Sequence, residues 1–435
     1  MKIALINHGC AKNLVDAELM LGMLDKKGYK ITLDDKEADI VIVNTCSFIH
    51  DAEQESVQSI LEMIESGKRV IVTGCLSQKY NDELKKAIPE LSGMVGTSNL
   101  TDVVKIIEDL EQGKEYESII SDKPHYYYPE ETARQQITVG ASSYLKIGEG
   151  CNYKCGYCII PKLRGPYISR PIENIVKEAK ELVAKGVTEI ILIAQDTSSY
   201  GIDLYGKQAL PELLRELNKI DNLSWIRIMY AYPTQMTDEL IDAIATLDKV
   251  VKYVDIPLQH SHPEVLKRMR RPVMDYTKLV EKIRAKIPNV SVRTTLIVGY
   301  PGETEEEFEH LYNFVKNVKF DRMGAFEYSR EKGTYSYGLK PQIDDKIKKE
   351  RREKLMELQQ KISLENNQKY IGSTLKCIVE GYTDDGVIIL RSEHDAPEID
   401  GVVYATSDRE VVPGDLENVR ITKVDEYDLF GEVED

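Results

Sequence analysis

The chain contains 435 residues, which is enough for two or three domains with substantial cores. Its formal net charge of −16 at pH 7 argues against a protein that grips nucleic-acid backbones through a broad basic surface. Residues 1–7 read as a short strand without the long apolar segment of a signal peptide, and no apolar run reaches the length of a membrane span. These features predict a cytoplasmic location.

Residues 1–135 alternate between short runs rich in Ile and Val and amphipathic stretches. The predicted strands are 2–7, 39–44 and 69–74, and the predicted helices are roughly 15–27, 51–65 and 81–87. This alternation predicts an open α/β domain with a parallel sheet and crossover helices. The pattern dissolves over residues 111–132, which we interpret as a connector.

Three cysteines follow the ends of the three predicted strands of this first domain. They are Cys10, Cys46 and Cys75. Because ligands of open parallel sheets bind beyond the carboxyl ends of the strands, we expect the three thiols to converge on one spot. A single such cysteine would read as an inert buried thiol. Three at equivalent positions indicate an iron–sulfur cluster with one iron left open.

Residues 136–370 carry a second alternating series of strands and helices. The predicted strands are 142–147, 189–194, 225–230, 252–257, 291–298 and 322–328, and the helices include 172–185, 210–219, 238–247, 263–269, 276–287 and 304–318. Six such units predict an open, partial (β/α)6 barrel rather than a complete eight-stranded one. A long charged helix over 343–370 is expected to wrap this barrel.

A compact cysteine motif follows the first strand of the predicted barrel, at the face where barrel enzymes place their chemistry. Its ligand candidates are Cys151, Cys155 and Cys158, spaced C-x₃-C-x₂-C. Three thiolates suit a [4Fe–4S] cube with one open iron, to which a small molecule can bind directly. A zinc site completed by a distant second half, or a redox pair, is the alternative. The odd total of seven cysteines in a reducing compartment also favours metal ligation over disulfides.

This motif resembles the radical S-adenosylmethionine (SAM) signature, including the aromatic Tyr157 before its last cysteine. The resemblance implies that SAM chelates the open iron and is cleaved by one electron to methionine and a 5′-deoxyadenosyl radical. Tyr157 and Gln195, which follows the second strand, are candidate contacts of this cofactor. Arg293, inside the fifth strand, is expected either to bind the SAM carboxylate or to pair with an internal acid.

Two histidines after the fourth strand, His260 and His262, are candidates for acid–base work. Helix capping beside Pro263 or hydrogen bonding in a loop is the favoured interpretation. We therefore assign no side chain as a general acid or base.

Residues 371–435 read as a small all-β domain. Strand-like runs at 375–380, 386–391, 402–405 and 418–424 are separated by turn residues, which is enough for a five-stranded antiparallel barrel. Cys377 alternates with apolar neighbours and is predicted to lie in the core. The segment holds 5 Lys and Arg against 17 Asp and Glu. This excess is either a solvated acidic face or a docking surface for a very basic partner.

Taken end to end, the chain resembles the methylthiotransferase family of radical SAM enzymes. That family combines an N-terminal cluster-binding domain, a radical SAM barrel and a C-terminal TRAM domain, here residues 1–135, 136–370 and 371–435. The six cysteines match the family pattern, which implies two [4Fe–4S] clusters. The auxiliary cluster would be held by Cys10, Cys46 and Cys75, and the SAM cluster by Cys151, Cys155 and Cys158.

Four stretches resemble the branch of this family that methylthiolates an aspartate of small-subunit ribosomal protein twelve. They are residues 9–16, 225–233, 257–260 and 395–401. The resemblance implies that one SAM methylates a sulfur on the auxiliary cluster and a second SAM yields the radical that activates the aspartate β-carbon. It also implies an external electron donor, a sulfur source and a single cavity faced by both clusters. Methylthiolation of a tRNA adenosine is the alternative within the family.

Two other classes of protein remain open from the sequence. One is an iron–sulfur electron carrier, which needs neither an open iron nor a cavity. The other is an RNA-binding module with structural zinc. Cleavage of SAM by the reduced protein separates the enzyme from the carrier, and metal and sulfide analysis separates it from the zinc module.

Overall fold

The computed structural model describes residues 1–47, 50–131, 134–137 and 140–434. Contacts divide it into a first unit of residues 1–139, 148–154 and 158–170 and a second unit of residues 140–147, 155–157 and 171–435.

Within the described residues the strands, in chain order, are β1 (Lys2–Asn7), β2 (Lys30–Ile31), β3 (Ile40–Thr45), β4 (Arg69–Gly74), β5 (Gly93–Val95), β6 (Glu117–Ile119), β7 (Ser142–Lys146), β8 (Gly148–Glu149), β9 (Ile168–Ser169), β10 (Glu189–Ile193), β11 (Trp225–Ile228), β12 (Tyr253–Asp255), β13 (Ser291–Val298), β14 (Arg322–Glu327), β15 (Thr374–Tyr382), β16 (Ile388–Ser392), β17 (Val403–Thr406), β18 (Leu416–Val424) and β19 (Leu429–Val433).

The α-helices described for the same residues are α1 (Ala11–Lys26), α2 (His50–Glu65), α3 (Cys75–Lys79), α4 (Asn81–Ala87), α5 (Val103–Glu111), α6 (Ile160–Arg164), α7 (Ile172–Ala184), α8 (Ile202–Tyr205), α9 (Leu210–Asn218), α10 (Asp238–Thr246), α11 (Pro263–Arg268), α12 (Tyr276–Lys286), α13 (Glu305–Val318) and α14 (Asp345–Asn367). None of the helices in the described ranges is both long and apolar enough to cross a membrane.

The first unit is built on a parallel sheet that, in the described part of the chain, has the order β2-β1-β3-β4-β5-β6. β3 is buried along its whole length, as expected for a central parallel strand that helices cover on both faces. The three strands expected from the sequence are confirmed to within one residue at each end. β6 lies inside the stretch interpreted as a connector, so part of that stretch completes the sheet. The last residue of the stretch, Thr132, lies outside the described residues.

The second unit begins with six parallel strands that follow one another in chain order. β7, β10 and β11 form one sheet, and β12, β13 and β14 form another. A bridge between Ile226 and Val250 brings β11 alongside the segment that leads into β12. All six strands of the predicted partial barrel are therefore confirmed. The predicted wrapping helix is α14, which packs along β14 and α13.

The C-terminal strands close a barrel in the order β15-β16-β17-β19-β18, as far as residue 434. The pairs are antiparallel except for β17 and β19, which run parallel, so the predicted antiparallel barrel contains one parallel pair. The side chain of Cys377 is fully buried among Val379, Leu390 and Val419, as predicted. Burial raises the pKa of this thiol well above its ordinary value.

The loop between β16 and β17 joins this small barrel to the amino-terminal ends of the parallel strands in the same unit. Asp395 accepts a hydrogen bond from Arg322, the first residue of β14, and Asp400 accepts one from Tyr253, the first residue of β12. Arg391 pairs with Glu189, the first residue of β10. The C-terminal barrel thus closes the amino-terminal side of the strands and leaves their carboxyl ends for the site.

Candidate active site

The three cysteines of the first domain lie at one edge of its sheet. β1, β3 and β4 are adjacent parallel strands, and Cys10, Cys46 and Cys75 follow their carboxyl ends. A Cβ placed on Gly9 would stand 2.9 Å from the Cβ of Cys46 and 3.4 Å from its sulfur. The loop that carries Cys10 therefore lies directly against Cys46.

All three thiols are free of disulfide bonds, and Cys46 and Cys75 are buried. Desolvation acts to raise the pKa of the Cys10 thiol, but Lys12 and Arg164 outweigh it, so the pKa is lowered. Burial raises the pKa of Cys75, against the opposing effect of Arg164. One arginine therefore acts electrostatically on two of the three thiols.

Arg164, at the end of α6, is the buried cation of this region. Its Nη1 donates to Asp16 at 2.7 Å and to Glu149 at 3.0 Å. Its Nη2 donates to the side-chain oxygen of Asn13 and to the sulfur of Cys75, the latter at 3.7 Å. Sequence reasoning missed this residue, because its partners are far away along the chain and no local pattern marks it.

The segment that follows the cysteine motif packs against Cys75 within the first unit. Ile159, which follows Cys158 directly, and Leu163 form an apolar cluster with Cys75. The backbone N–H of Cys151 donates to the carbonyl of Gly165 at 3.1 Å. The first unit thus holds the surroundings of Cys151 and Cys158 together with the three sheet cysteines.

The backbone around Cys151 is fixed by close approach of two chain segments. Gly150 has φ +80°, and a Cβ at this position would lie 2.1 Å from the carbonyl oxygen of Pro166. Neither the conformation nor the space admits a side chain. The turn that presents Cys151 therefore depends on glycine.

The middle of the motif, Cys155 to Tyr157, belongs to the second unit. The N–H of Gly156 donates to the carbonyl of Met269 at 2.7 Å, and its carbonyl accepts from Ser336 at 2.8 Å. Tyr157 packs on an apolar cluster that includes Met269 and Tyr300. This packing gives the predicted Tyr157 a positioning role in the loop, while its contact with a cofactor stays a prediction.

A second arginine that the sequence did not single out, Arg271, lies beside Cys155. Its Nη1 stands 4.0 Å from the Cys155 sulfur, and its guanidinium covers the ring of Tyr232 at 4.3 Å. Each cysteine group thus has a buried arginine next to one of its sulfurs. The repeated arginines of 268–271 are the one sequence signal that could have drawn attention to it.

The carboxyl ends of the barrel strands carry unusual backbone conformations. Gln195 lies half-buried just beyond β10. Tyr230, beyond β11, and Gln259, beyond β12, have φ of 61° and 73°. Positive φ in residues other than glycine is strained and concentrates at functional sites. These ends therefore form a polar, strained rim where a ligand would bind.

Arg293 pairs with internal acids, which is the second of the two alternatives set out above. Its Nη1 lies 3.2 Å from Asp255 and its Nε 3.4 Å from Asp400. Both carboxylates compensate the guanidinium, and a contact of Arg293 with the SAM carboxylate stays a prediction.

The two histidines serve backbone capping, as favoured from the sequence. His262 accepts from the N–H of Glu264 at the start of α11, and the Nδ1 of His260 accepts from the N–H of His262. Burial lowers the pKa of His260. Its Nε2 lies 3.4 Å from a carboxylate oxygen of Glu303.

The chemistry of the three sheet cysteines fits an iron–sulfur cube, whose irons are bound by thiolates. Cys10, Cys46 and Cys75 follow adjacent strands of one sheet, and none of them forms a disulfide. Among the described residues no group of three or more His, Cys, Asp or Glu is arranged around one ion position.

Family models match the chain in three places. The Radical SAM superfamily matches residues 145–315, the uncharacterized protein family UPF0004 matches residues 2–96 and the TRAM domain matches residues 371–433. The partial barrel with its cysteine loop and these matches define a radical SAM enzyme.

Curated relatives identify the family to which the chain belongs among radical SAM enzymes. The chain is 51% identical over 436 residues to the ribosomal protein uS12 methylthiotransferase RimO of Caldanaerobacter subterraneus subsp. tengcongensis, covering 99% of both chains. It is 48% identical over 441 residues to the protein of the same name from Clostridioides difficile, covering 100% of this chain and 99% of that one. The chain belongs to the RimO family of radical SAM methylthiotransferases.

Solved structures share the fold at low sequence identity. The radical SAM methyltransferase TsrM from Kitasatospora setae superposes with a TM-score of 0.57 and 14% identity, covering 75% of this chain and 74% of that chain. The cobalamin-dependent radical SAM enzyme OxsB superposes with a TM-score of 0.52 and 11% identity, covering 82% of this chain and 56% of that chain. These likenesses support the architecture alone.

Proposed function

We propose that this chain methylthiolates the β-carbon of an aspartate in ribosomal protein uS12, using SAM and two [4Fe–4S] clusters. The observation that carries this proposal is the packing of Ile159 and Leu163, just after the cysteine motif, on Cys75 of the sheet trio. Cys151 and Cys158 belong to the same unit as the three sheet cysteines, which suits a reaction that needs two neighbouring centres.

The ligands proposed for the auxiliary cluster are Cys10, Cys46 and Cys75, and those for the SAM cluster are Cys151, Cys155 and Cys158. When bound, the two clusters and SAM supply one-electron cleavage of SAM and a transferable methylthio group. Residues 1–135, 136–370 and 371–435 are proposed as the cluster-binding, radical SAM and TRAM domains.

Two glycines set the backbone path of the cysteine motif. Gly150 precedes Cys151 and approaches Pro166 closely, and Gly156, inside the motif, approaches Tyr300 closely. Gln195 is proposed as a cofactor contact at the carboxyl end of β10. The radical step requires no side chain to move a proton.

The acidic C-terminal barrel supports a basic protein substrate over tRNA. Its exposed acids include Asp384, Asp385 and Asp408, and the segment from Ile371 onward holds 17 acidic against 5 basic residues. Such a surface repels phosphate backbones and attracts basic proteins. An external electron donor, a sulfur source and a cytoplasmic location complete the proposal.

The test is a direct comparison of two substrates. The anaerobically reconstituted chain is incubated with SAM and a reductant, and with either small ribosomal subunits or total tRNA. We expect uS12 to gain the mass of one methylthio group in place of one hydrogen, on a peptide containing aspartate. Modification of tRNA instead would overturn the substrate assignment, and formation of no 5′-deoxyadenosine would overturn the enzyme class.

Cysteine variants provide the matched control. Cys10→Ala, Cys46→Ala and Cys75→Ala should abolish methylthiolation but leave cleavage of SAM in place, because they remove only the auxiliary site. Cys377→Ala, in the core of the C-terminal barrel, should retain both activities. Equal loss in Cys377→Ala would show that the cysteine effects reflect misfolding.

A further inference from the structure

Arg164 is held rigidly among the sheet cysteines of the first unit. It is 3% exposed, and its carboxylate partners Asp16 and Glu149 are 2% and 0% exposed. A buried guanidinium is tolerated only when it is paired and hydrogen-bonded, and both carboxylates meet this need through Nη1. The second nitrogen, Nη2, is then available for Asn13 and Cys75.

Asn13 fixes the direction in which Nη2 points. Its side-chain nitrogen donates to the carbonyl of Thr45 at 2.9 Å and to that of His8 at 3.2 Å. The amide oxygen of Asn13 is thereby turned toward Arg164, and the planar guanidinium has little freedom to rotate. The N–H aimed at the Cys75 sulfur is therefore built into the fold.

The same residue is linked by the chain to the other cysteine group. Gly165 follows Arg164 directly, and its carbonyl accepts the N–H of Cys151 at 3.1 Å. Gly165 also packs closely on Pro124, since a Cβ at position 165 would lie 2.1 Å from the carbonyl oxygen of that proline. A movement of Arg164 would thus change the surroundings of both Cys75 and Cys151.

We propose that Arg164 is a positioning residue of the auxiliary cluster, which hydrogen-bonds the Cys75 sulfur, raises the reduction potential of the cluster and ties it to the Cys151 loop. The inference rests on the proposed function, since it takes Cys75 as a ligand. Hydrogen bonds and positive charge at cluster sulfurs stabilise the more negative, reduced state, and groups around the ligands tune a metal centre in this way.

The experiment isolates the auxiliary cluster in the full-length chain. Cys151→Ala, Cys155→Ala and Cys158→Ala are combined to remove the SAM cluster, and the remaining cluster is titrated with dithionite and followed by electron paramagnetic resonance. Arg164→Lys keeps a positive charge near Asp16 and Glu149 but loses the guanidinium fork. We expect a lower midpoint potential and an altered resonance spectrum in this variant.

Two controls separate an effect on the reduction potential of the cluster from a loss of protein stability. Asp16→Asn breaks the same ion pair without touching the sulfur, so its midpoint potential should not fall. Arg271→Lys replaces the arginine beside Cys155, where this background has no cluster, and should leave the potential unchanged. A fall of equal size in either control would overturn the proposal, because it would reduce Arg164 to a structural residue.

A second variant keeps the inference testable if Arg164→Lys does not fold. Arg164→Met combined with Asp16→Asn and Glu149→Gln removes all three charges and leaves no unpaired buried ion. Its midpoint potential should lie below that of Asp16→Asn combined with Glu149→Gln, which differs from it only at residue 164. A potential in both Arg164 variants that is equal to or above that of its own reference would overturn the inference alone. If the background without the SAM cysteines holds no cluster, the proposed function itself fails.

Discussion

At the scale of single residues, glycine controls how closely the cysteine loops approach each other. Gly9 has φ +107°, and a Cβ there would stand 2.9 Å from the Cβ of Cys46. Gly28 also has a positive φ, of +87°, but nothing lies within 4 Å of its Cβ position. The two positions share a positive φ, but only a Cβ at position 9 has close neighbours, namely Cys46 and the side-chain nitrogen of Asn13.

We predict that Gly9→Ala reduces the iron and sulfide bound by the auxiliary site, because the new methyl group displaces Cys46. Gly28→Ala pays the same conformational cost, about 1 kcal/mol, without that displacement. The measurement is iron and sulfide per chain after reconstitution in the background without the SAM cysteines. Equal cluster content in the two variants would contradict the steric argument.

Glu189 gives a prediction for pH dependence. Burial acts to raise its pKa, but Arg391 and Arg227 outweigh it and lower the pKa from 4.5 to about 2. Since the folded-state pKa lies below the unfolded one, the stabilisation is complete above pH 4.5. It is lost as the pH falls through about 2, and it amounts to roughly 3 kcal/mol.

We therefore expect Glu189→Gln to lower the urea midpoint of the cluster-free chain at pH 7 by the equivalent of about 3–5 kcal/mol, since two buried arginines lose their partner. The difference from the unmodified chain should shrink as the pH falls from 4.5 to 2. Glu212→Gln, in an exposed pair with Lys207, should change the midpoint little. A difference that is constant with pH would refute the assignment.

The candidate cysteine ligands could be predicted from the sequence, but the residues that surround them could not. Cys151, Cys155 and Cys158 are marked by local spacing, and Cys10, Cys46 and Cys75 by their equivalent places after strands. Arg164 reaches Asp16 over 148 residues and Cys75 over 89 residues. Long-range contacts of this kind depend on tertiary packing, and no periodicity or turn residue encodes them.

At the scale of elements, the strands of the partial barrel were predictable because strand-like runs alternate regularly with helical stretches. β2, β5 and β6 have only two or three residues, too few for a period to show. They exist because neighbouring strands offer free backbone groups for pairing. These three short strands were therefore not predicted from the sequence, whereas the equally short β12 was, because it falls in the alternating series of the barrel.

The loop between β16 and β17 is the element that fixes the C-terminal barrel to the parallel strands. Asp395 is 2% exposed and lies 2.6 Å from Nη2 of Arg322. Residues 395–401 of this loop are among the stretches that resemble the ribosomal-protein branch of the family. The structure shows that the same loop also binds the first residues of β12 and β14. Its acids neutralise arginines that the strands would otherwise bury alone.

We predict that Asp395→Ala destabilises the cluster-free chain by about 3–5 kcal/mol, because it leaves the buried guanidinium of Arg322 without a carboxylate. Arg322→Met in the same chain should recover part of this loss. Urea unfolding measures both, with exposed Asp384→Ala as the control. If Asp395→Ala behaved like Asp384→Ala, the ion pair would contribute nothing.

At the scale of the whole molecule, the charge is unevenly distributed. The chain carries −16 in total, and the segment from Ile371 onward contributes −12 of it. Part of this acidity is internal and paired, as Asp395 and Asp400 show. The remaining exposed acids are the groups available to a basic partner.

We predict that binding of purified uS12 weakens as ionic strength rises, because exposed charges are screened over about 8–10 Å at physiological salt. Asp384→Lys combined with Asp385→Lys and Asp408→Lys should weaken binding and slow association. Reversal of Glu306, Glu309 and Glu357, also exposed in the second unit, is the matched control. An equal effect of both sets would point to general attraction rather than to a docking face.

The closing of the parallel strands by the β16–β17 loop has a consequence for synthesis on the ribosome. Arg293 and Arg322 emerge well before Asp400 and Asp395, the carboxylates that they meet in the finished protein. Until the final sixty or so residues have been translated, the barrel contains cations that have no counter-ion from that loop, and its packing is unfinished. We therefore expect a chain truncated before Asp395 to be cleaved faster by proteases than the full-length chain, because the buried Arg322 then lacks its carboxylate partner.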